Sequence, residues 1–325
     1  MNGMLKILVT GANGFIGSAF CREALSRGMH VSGATRKPCN LPIGIRSFVV
    51  GNIDSSTDWR NSLVGCDILT HLAARVHEMS DTAVDPLTEF RRVNVQGTLN
   101  LARQAVSAGV RRFVFVSSIK VNGEETQNGQ PFTTDDLPAQ LDAYGLSKLE
   151  AEQGLREIAM QTSMEIVIIR PPLVYGPGVK GNFATMMRWL QRGVHFPLGA
   201  IHNKRSLVAL DNLVDLIITC LTHPAAANKT FMVSDGEDVS TTELLRRMGQ
   251  AMGHPVSLIS VPVGLIKLGA TLVGKRELAL RLCGSLQVDI SQTQKLLGWA
   301  PSVSLDEGLR RTAAGLGLQR LACHN

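Results

Sequence analysis

The chain of 325 residues carries 33 Lys and Arg against 27 Asp and Glu, a formal net charge of +6. Its length suits one large globular domain or a main domain with a smaller lobe, and 44% hydrophobic residues are ample for a core. Intrinsic disorder is excluded as the dominant state, because only 18% of the residues are charged. The charges are dispersed without a Lys/Arg tract, so a small anionic ligand explains the basic balance equally well and no nucleic-acid partner is predicted.

The six cysteines lie at least 18 positions apart, too far for the paired spacing of zinc and redox motifs. They are predicted to be reduced thiols in a cytoplasmic protein. His77 and Glu78 begin like the helix of a zinc protease, but Asp81 stands where that helix needs its second histidine. No metal site is therefore predicted.

The first residues run directly into an apolar segment typical of a strand, which leaves no room for a signal peptide. The longest apolar stretch, residues 258–274, is interrupted by Pro262, Gly264, Lys267 and Gly269. It falls short of the roughly 20 apolar residues that cross a bilayer. No transmembrane segment is predicted, whereas contact of this stretch with a membrane surface is left open.

Short β-branched runs alternate with helix-length segments through the first half of the chain. Strands are predicted at residues 5–10, 31–35, 47–50, 68–72, 113–117 and 165–170, with helices at about 15–26, 92–108 and 144–161. Strands separated by helices imply right-handed crossovers and a parallel sheet covered on both faces. The predicted fold class is α/β, with a doubly wound (Rossmann) sheet.

The regular alternation ends after Pro171 and Pro172. The remainder is predicted to form a smaller, mostly C-terminal lobe of loops and helices that covers the ligand, with one return to the sheet. We therefore expect a dinucleotide-binding domain made of residues 1–173 and about 206–236. The substrate-binding lobe would comprise residues 174–205 and 237–325.

Residues 10–17, Thr-Gly-Ala-Asn-Gly-Phe-Ile-Gly, follow the first predicted strand and open the first helix, as a dinucleotide fingerprint requires. Gly11 would allow the tight turn, Gly14 the approach of the pyrophosphate to backbone N–H groups, and Gly17 close packing of the helix on the strand. A merely structural glycine turn is the alternative. The candidate cofactor-binding residues of this segment are Gly11, Asn13, Gly14, Phe15, Ile16 and Gly17.

At the end of the second strand, NAD enzymes normally place a carboxylate that binds the adenosine ribose 2′-hydroxyl. This chain has Thr35, Arg36 and Lys37 there. The missing carboxylate removes repulsion toward a 2′-phosphate, and a guanidinium can bind that phosphate through two hydrogen bonds. The sequence favours NADP(H), while NAD(H) stays possible if Arg36 and Lys37 are solvated loop charges. Asn52 is a weaker candidate for contact with the adenine.

Tyr144 and Lys148 stand at i and i+4, on one face of a predicted helix. A tyrosine hydroxyl titrates near pH 10, so acid–base work near neutrality needs a cation that stabilises the phenolate. Lys148 is placed to supply it, although Tyr-x-x-x-Lys alone recurs by chance. Ser117 and Ser118 end the fifth strand at the carboxyl edge of the sheet, where doubly wound folds bind ligands.

Together these motifs resemble the extended short-chain dehydrogenases/reductases of the NAD(P)-dependent sugar epimerase/dehydratase family. The resemblance covers nearly the whole chain, in the order and spacing of that family. It is carried by the glycine loop at 10–17, Leu72-Ala73-Ala74, Asn94, Ser117-Ser118, Tyr144 to Lys148, and the late segments 170–177, 205–215 and 297–299.

The resemblance implies that Tyr144 exchanges a proton with a sugar hydroxyl or carbonyl while Ser118 hydrogen-bonds the same oxygen. Lys148 would lower the pKa of Tyr144 and hold the nicotinamide ribose. Asn94 is similar to a position that supports the active-site helix, and a buried structural amide is the alternative. Further implied cofactor contacts are Ile53, Leu72, Ala73, Ala74, Asn94 and Pro171. The implied substrate contacts are Arg75, Ser117, Ser118, Asn182, Arg205 and Arg281, of which Asn182 and Arg205 resemble contacts to the diphosphate of a nucleotide sugar.

Some positions depart from the family's habits. Sugar 4,6-dehydratases place an acid pair directly after the catalytic Ser or Thr, and here Ile119 and Lys120 stand there. Dehydration is not expected, because neither residue supplies the missing carboxylate. Asn122 replaces a common Tyr and Leu173 a common Asn, which leaves the identity of the substrate open.

Two reactions fit the resemblance. A 4-ketoreductase delivers hydride once, whereas a 4-epimerase removes hydride from C4 and returns it to the opposite face. Only a net reductase draws on cellular NADPH, so Arg36 and Lys37 favour NADP(H)-dependent reduction of the C4 keto group of a nucleotide-linked sugar. Resemblance to polysaccharide enzymes points to a UDP-linked 6-deoxy-N-acetylhexosamine for surface polysaccharide synthesis. The alternative is a UDP-hexose 4-epimerase, of the UDP-glucose or UDP-N-acetylglucosamine type, with bound NAD.

A non-catalytic NADP-sensing regulator is a distant alternative, since such proteins commonly lose the Tyr/Lys pair that this chain retains. The resemblance also implies a homodimer, in which the helices near 92–108 and 144–161 of two subunits form a four-helix bundle.

Overall fold

The computed structural model describes residues 5–76, 85–127, 129–139, 141–272, 274 and 276–322. The incomplete zinc-protease motif, His77, Glu78 and Asp81, lies outside these residues, as does Cys323. Within them, the five cysteines are free thiols. No group of three or more His, Cys, Asp or Glu side chains in the described residues is arranged to hold a metal ion. No helix in the same part of the chain is long and apolar enough to span a bilayer.

In the described residues, ten strands form two sheets. The strands are β1 Lys6–Thr10, β2 His30–Thr35, β3 Arg46–Val49, β4 Ile68–His71, β5 Arg112–Val116, β6 Glu165–Arg170, β7 Leu173–Tyr175, β8 Arg205–Ala209, β9 Lys229–Met232 and β10 Asp238–Val239. The large sheet has seven parallel strands in the order β3-β2-β1-β4-β5-β6-β9. This confirms the doubly wound Rossmann sheet that the sequence predicts.

The described helices cover both faces of this sheet and build the second lobe. They are α1 Phe15–Ser26, α2 Arg60–Leu63, α3 Pro86–Phe90, α4 Thr98–Ser107, α5 Ala143–Gln161, α6 Gly181–Gln191, α7 Leu210–Thr222, α8 Thr241–Ala251, α9 Val263–Leu272, α10 Arg276–Cys283, α11 Ser291–Leu297 and α12 Leu305–Ala322. Every residue of β4 and β5 is buried, as expected for strands that helices cover on both sides.

The helix predicted at 92–108 is longer and less regular than the sequence indicates. It begins with α3, widens into π-helical turns over Arg91–Gly97 and continues as α4. Within the widened turns, Asn94 and Gly97 are buried. A Cβ on Gly97 would lie 2.6 Å from the Ile53 side chain, so this close approach accepts only glycine. Widened turns of this kind are frequent at functional sites.

The second sheet is small and has the order β10-β8-β7. Strand β8, predicted to return to the large sheet, pairs in parallel with β7 and antiparallel with β10. The return to the large sheet is made by α7, which packs on α1, and by β9 beside β6. Phe15 contacts the cores of both parts. The proposed domain boundaries stay a prediction; β8 contributes Val208 to the core of the large sheet and Leu207 to the core of the second lobe.

Candidate active site

The glycine loop turns tightly between β1 and α1. Gly11 has a φ of +66°, a conformation that side-chain-bearing residues rarely adopt. A Cβ on Gly11 would lie 2.9 Å from the backbone N of Ala73, and one on Gly17 would lie 2.0 Å from the carbonyl O of Gly11. The loop therefore holds the start of α1 against β1 and β4 at a distance that only glycine allows.

The outer side of this loop is suited to a phosphate. Asn13 and Gly14 are exposed, and Gly14 begins α1 without a side chain that caps the helix N-terminus. The N–H groups of the first turn and the helix dipole then favour an anion. Phe15 and Ile16 are half-buried and pack against the large core. This cradle fits the pyrophosphate of a dinucleotide.

A buried histidine, which the sequence analysis did not single out, holds the loop from beneath. His71 Nδ1 lies 2.7 Å from Thr10 Oγ1, and His71 Nε2 lies 3.0 Å from Thr98 Oγ1. Burial lowers the pKa of His71 to about 3, and the nearby Lys148 charge adds to this shift. Thr10 Oγ1 also accepts hydrogen bonds from the backbone N–H groups of Leu72 and Ala73, at 3.2 Å each. The neutral imidazole thus ties β1, β4 and α4 together below the cofactor cradle.

The residues that suggested NADP(H) lie at the carboxyl end of β2. Thr35 is buried, and its hydroxyl donates to the carbonyl of Lys37 at 3.0 Å. Arg36 and Lys37 are exposed just beyond it. Asn52 is exposed after β3, while Ile53 is half-buried against Gly97. These side chains follow the strands next to β1, on the side of the sheet edge where an adenosine would lie.

The catalytic candidates meet at the end of β5. Tyr144 lies in the first turn of α5, and the Ser118 side chain is close enough to its hydroxyl to lower the Tyr144 pKa. The Tyr144 ring packs edge-on against Phe90, with 5.9 Å between ring centroids. Lys148 is buried one turn later, where Nζ donates to the carbonyl of Val116 at 2.8 Å and lies 4.2 Å from the centre of the Phe115 ring. The structure therefore brings Ser118, Tyr144 and Lys148 to one place.

The pKa values of Tyr144 and Lys148 differ from what the sequence analysis predicts. Burial raises the pKa of Tyr144 to about 12, the Asp142 carboxylate raises it further, and the Ser118 hydrogen bond opposes both. The sequence analysis expected Lys148 to lower this pKa. Instead, burial lowers the pKa of Lys148 itself to about 7, against the opposing charge of Glu152. The Lys148 amine is turned toward the Val116 carbonyl, so the stabilising partner of the Tyr144 hydroxyl is Ser118.

Asn94 connects the loop after β4 to the helix of Tyr144. Its Oδ1 accepts from the backbone N–H of Arg75 at 2.9 Å, while its Nδ2 donates to the Arg75 carbonyl and to Ser147 Oγ, both at 3.0 Å. Ser147 in turn donates to the Tyr144 carbonyl at 2.8 Å. Asn94 is thus a buried amide that positions the first turn of α5.

A buried ion pair anchors the same helix to β6 and was missed by the sequence analysis. The Glu152 carboxylate accepts from Arg170 Nε at 3.0 Å and from Arg170 Nη2 at 2.6 Å. Arg170 Nη1 donates to Asn122 Oδ1 at 3.1 Å. Burial would raise the pKa of Glu152, but the Arg170 hydrogen bonds outweigh it and the pKa is lowered. Ser117 is buried nearby, and its hydroxyl has no hydrogen-bond partner among the described residues.

Lys120, which stands where dehydratases carry an acid, serves the start of α5. It forms an ion pair with Asp142, and Asp142 accepts from the backbone N–H of Gly145 at 2.6 Å as the helix cap. Burial opposes ionisation of Asp142, yet the bonds from Lys120 and Gly145 lower its pKa. The position thus fixes the helix that carries Tyr144.

The remaining candidate contacts described here, four to the substrate and one to the cofactor, differ in burial. Arg205 Nη1 donates to the carbonyls of Arg281 and Gly284, at 2.7 and 3.0 Å, and burial lowers its pKa against the charge of Glu125. Asn182 is exposed in the first turn of α6, and Arg75 is half-buried after β4. Pro171, the cofactor candidate, is buried, and its carbonyl accepts from the N–H of Ile119, the residue after Ser118, at 3.0 Å. Their roles stay predictions.

Fold and site together fit a dinucleotide-dependent enzyme, with Ser118, Tyr144 and Lys148 as its candidate catalytic residues. The NAD dependent epimerase/dehydratase family matches residues 7–234, and the chain belongs to this family. A UDP-glucose 4-epimerase of Vibrio cholerae is 50% identical over 310 residues, which cover 95% of this chain and 94% of that protein.

Two further proteins are similar over most of their length. The N-acetyl-alpha-D-glucosaminyl-diphospho-ditrans,octacis-undecaprenol 4-epimerase of Escherichia coli O157:H7 is 25% identical, covering 94% of each chain. The solved structure of MoeE5 in complex with UDP-glucuronic acid and NAD is 26% identical with a TM-score of 0.78, covering 97% of this chain and 99% of that one. The names of the family and of this complex specify NAD, so they lend no support to the expected preference for NADP(H).

Proposed function

We propose that this protein is a UDP-hexose 4-epimerase that works with bound NAD. The observation that carries the proposal is the grouping of Tyr144 with Ser118 and the buried Lys148 at the edge of the sheet that holds the glycine cradle. The 50% identity to a 4-epimerase over nearly the whole chain supports the same choice among the reactions of the family. The sequence favours a 4-ketoreductase, whereas the comparisons favour the alternative, a 4-epimerase.

When bound, NAD supplies a hydride acceptor and donor for the sugar C4. The residues of this chain handle the proton on the C4 oxygen. Tyr144, as the phenolate, takes that proton as the C4 hydroxyl becomes a carbonyl, and as the phenol it gives the proton back when the hydroxyl is restored. Ser118 hydrogen-bonds the same oxygen, and its side chain beside Tyr144 lowers the pKa that burial raises. Asn94 and the Glu152–Arg170 pair keep the first turns of α5 in place for this transfer.

The test is interconversion of UDP-glucose and UDP-galactose, and of the N-acetylated pair, followed by NMR in the absence and presence of added NAD. An epimerase gives the same equilibrium mixture from either sugar without net change in NADH absorbance. If neither pair is interconverted by protein that binds NAD, the proposal is wrong.

A second candidate is the NADP(H)-dependent 4-ketoreductase, because Arg36 and Lys37 are exposed where a 2′-phosphate would lie. It predicts NADPH oxidation in step with reduction of a UDP-4-keto-6-deoxy-N-acetylhexosamine. It also predicts that Arg36→Ala weakens NADPH binding by about tenfold or more while sparing NADH, since a charge-assisted hydrogen bond contributes about 1.5–3 kcal/mol. Arg46→Ala, at an exposed arginine of the neighbouring β3 that stacks on Phe48, is the matched control. The distant alternative, a non-catalytic NADP-sensing regulator, predicts that the protein binds the cofactor and catalyses neither reaction.

A further inference from the structure

Helix α9 is apolar on two faces, and only one of them is packed against the protein. Val263 and Ile266 are half-buried against the core of the second lobe. Leu265, Leu268 and Leu272 follow one another at helical spacing on the other face and are 59%, 58% and 80% exposed. A helix that is apolar all round is normally buried, so the outer face of α9 lacks a partner within the described chain.

The exposed leucines continue into a larger apolar surface. Ile259 is 52% exposed just before α9, and Trp189 and Val194 are exposed at the end of α6. Backbone hydrogen bonds from Phe196 N to Ser257 O, at 3.2 Å, and from Ile259 N to Phe196 O, at 2.8 Å, hold these segments side by side. We call this surface the apolar ridge; its members are Trp189, Val194, Ile259, Leu265, Leu268 and Leu272.

The segments that supply the ridge are mainly basic. Residues 166–210 and 244–276 contain six and five Lys/Arg respectively and no Asp or Glu, although Glu277 follows Arg276 directly. Three of these cations are engaged elsewhere: Arg170 with Glu152, Arg205 with backbone carbonyls, and Arg247 with Glu237 and Glu243. At the average of the chain, segments of this combined length would hold about six acidic residues. Arg188, Arg192, Lys267 and Arg276 are exposed on the elements that carry the ridge.

We infer that the apolar ridge docks the protein onto the surface of an anionic phospholipid bilayer. Exposed leucines with a tryptophan, flanked mainly by arginine and lysine, are what interfacial helices present to acyl chains and anionic headgroups. A second copy of this chain fits the ridge less well, because a symmetric contact would bring two cationic rims together. The helix lies on the bilayer and does not cross it.

Helix α10 connects the ridge to residues of the candidate site. Helix α10 packs against α9 and carries Arg281, whose carbonyl accepts from Arg205 at 2.7 Å. The positive charge of Arg281 also acts on Asp142, the cap of the helix that bears Tyr144. The inference does not depend on the proposed reaction, since it rests on the surface alone.

The test is co-sedimentation of the full chain with vesicles of phosphatidylcholine, with and without about 30 mol% phosphatidylglycerol. We expect binding to the anionic vesicles that weakens in high salt. The triple variant Leu265→Gln, Leu268→Gln, Leu272→Gln should bind at least about tenfold more weakly. The double variant Lys267→Glu, Arg276→Glu should lose a similar factor, because each basic group contributes about fivefold at such a surface.

The matched control is Ile43→Gln, Val64→Gln, Leu137→Gln, at three apolar residues that are exposed by 102%, 81% and 87% and belong to the sheet domain. It should bind vesicles like the unchanged protein, and thermal unfolding should show that every variant is folded. Absence of binding to anionic vesicles by the unchanged protein overturns the inference, as does equal loss in ridge and control variants. Light scattering that shows self-association abolished only by the ridge variant, without vesicle binding, would assign the ridge to a second copy instead.

Discussion

At the scale of single residues, the proposed chemistry depends on one hydroxyl. Tyr144→Phe removes it and keeps the ring that packs on Phe90. Turnover of UDP-sugars should fall by about 10²–10⁴-fold, because proton transfer from a positioned group contributes that much, while NAD affinity changes little. The other tyrosine of the chain, Tyr175, lies in the second lobe, where its hydroxyl donates a hydrogen bond to Asp235 Oδ2 at 2.7 Å.

Tyr175→Phe is therefore the control for Tyr144→Phe: it should cost stability and leave kcat within a few-fold of the unchanged protein. Near-normal turnover in Tyr144→Phe would remove Tyr144 from the proton-transfer role. Steady-state kinetics with both variants and isothermal titration with NAD decide between these outcomes.

The buried His71 predicts a specific dependence of stability on pH. Its pKa is about 3 in the folded protein and about 6.5 when unfolded, so between these values the unfolded chain binds more protons. The free energy of unfolding should therefore rise with pH across this window. The stability that the neutral His71 contributes should be lost as the pH falls from 6.5 toward 3. The contribution from His71 should approach about 1.4 kcal/mol per pH unit.

His71→Gln cannot take up this proton. The difference in free energy of unfolding between this variant and the unchanged protein should therefore change with pH by up to about 1.4 kcal/mol per pH unit. Urea unfolding of both proteins at several pH values from 4 to 7 measures it. His30→Gln, at an exposed histidine of β2, is the control and should leave the slope unaltered. Parallel stability curves for the unchanged protein and His71→Gln would contradict the neutral, buried imidazole.

The sequence located the residues that recur as linear motifs and missed those that act through pairing across the chain. The glycine loop and Tyr144 with Lys148 are visible because their spacing is short and fixed by one turn or one helix. His71, Glu152 and Arg170 have partners 18 to 61 positions away, which spacing alone does not indicate. The direction of the Tyr144 pKa shift also depends on burial and on where the Lys148 amine is turned, and neither is a property of the motif.

At the scale of elements, the six strands predicted from the sequence lie within one residue of β1 to β6 at each end, because β-branched runs bounded by turn residues mark a parallel strand clearly. Strands β7 to β10 are not predicted. The β6 prediction, residues 165–170, coincides with the strand. The π-helical turns at Arg91–Gly97 and the pairing of β8 with β7 were not predicted. Both are decided by packing against distant segments, such as Ile53 against Gly97, which local propensity does not contain.

The ion pair between α5 and β6 predicts a large loss of stability when one partner is removed. Glu152→Gln leaves the buried Arg170 guanidinium without its carboxylate, and removing one member of a buried pair costs about 3–5 kcal/mol. Glu150→Gln on the same helix breaks the more exposed pair with Arg91 and should cost less than about 1 kcal/mol.

Denaturant unfolding of the two variants compares these costs directly. Replacing both partners, as Glu152→Leu with Arg170→Met, should recover part of the stability because no uncompensated charge remains. A Glu152→Gln variant as stable as Glu150→Gln would show that the pair does not anchor α5.

At the scale of the whole molecule, the resemblance predicts a homodimer in which α4 and α5 of two subunits form a four-helix bundle. Arg103 on α4 and Met160 on α5 are exposed on these helices, and Met160 has 79% of its surface accessible. An exposed methionine on a helix otherwise rich in polar residues is consistent with a contact surface, since such residues are enriched in interfaces.

Light scattering of the unchanged protein should therefore give twice the 35.1 kDa mass of the chain. Arg103→Glu with Met160→Glu places two acidic groups on the predicted bundle face and should weaken the dimer by at least about tenfold, because like charges then meet across the symmetry axis. Arg22→Glu with Ile43→Glu, at exposed positions outside α4 and α5, is the control and should stay dimeric. A monomeric unchanged protein at micromolar concentration, or a fully dimeric bundle variant, would place any assembly on another surface, and the ridge variants described above would then identify whether α9 provides it.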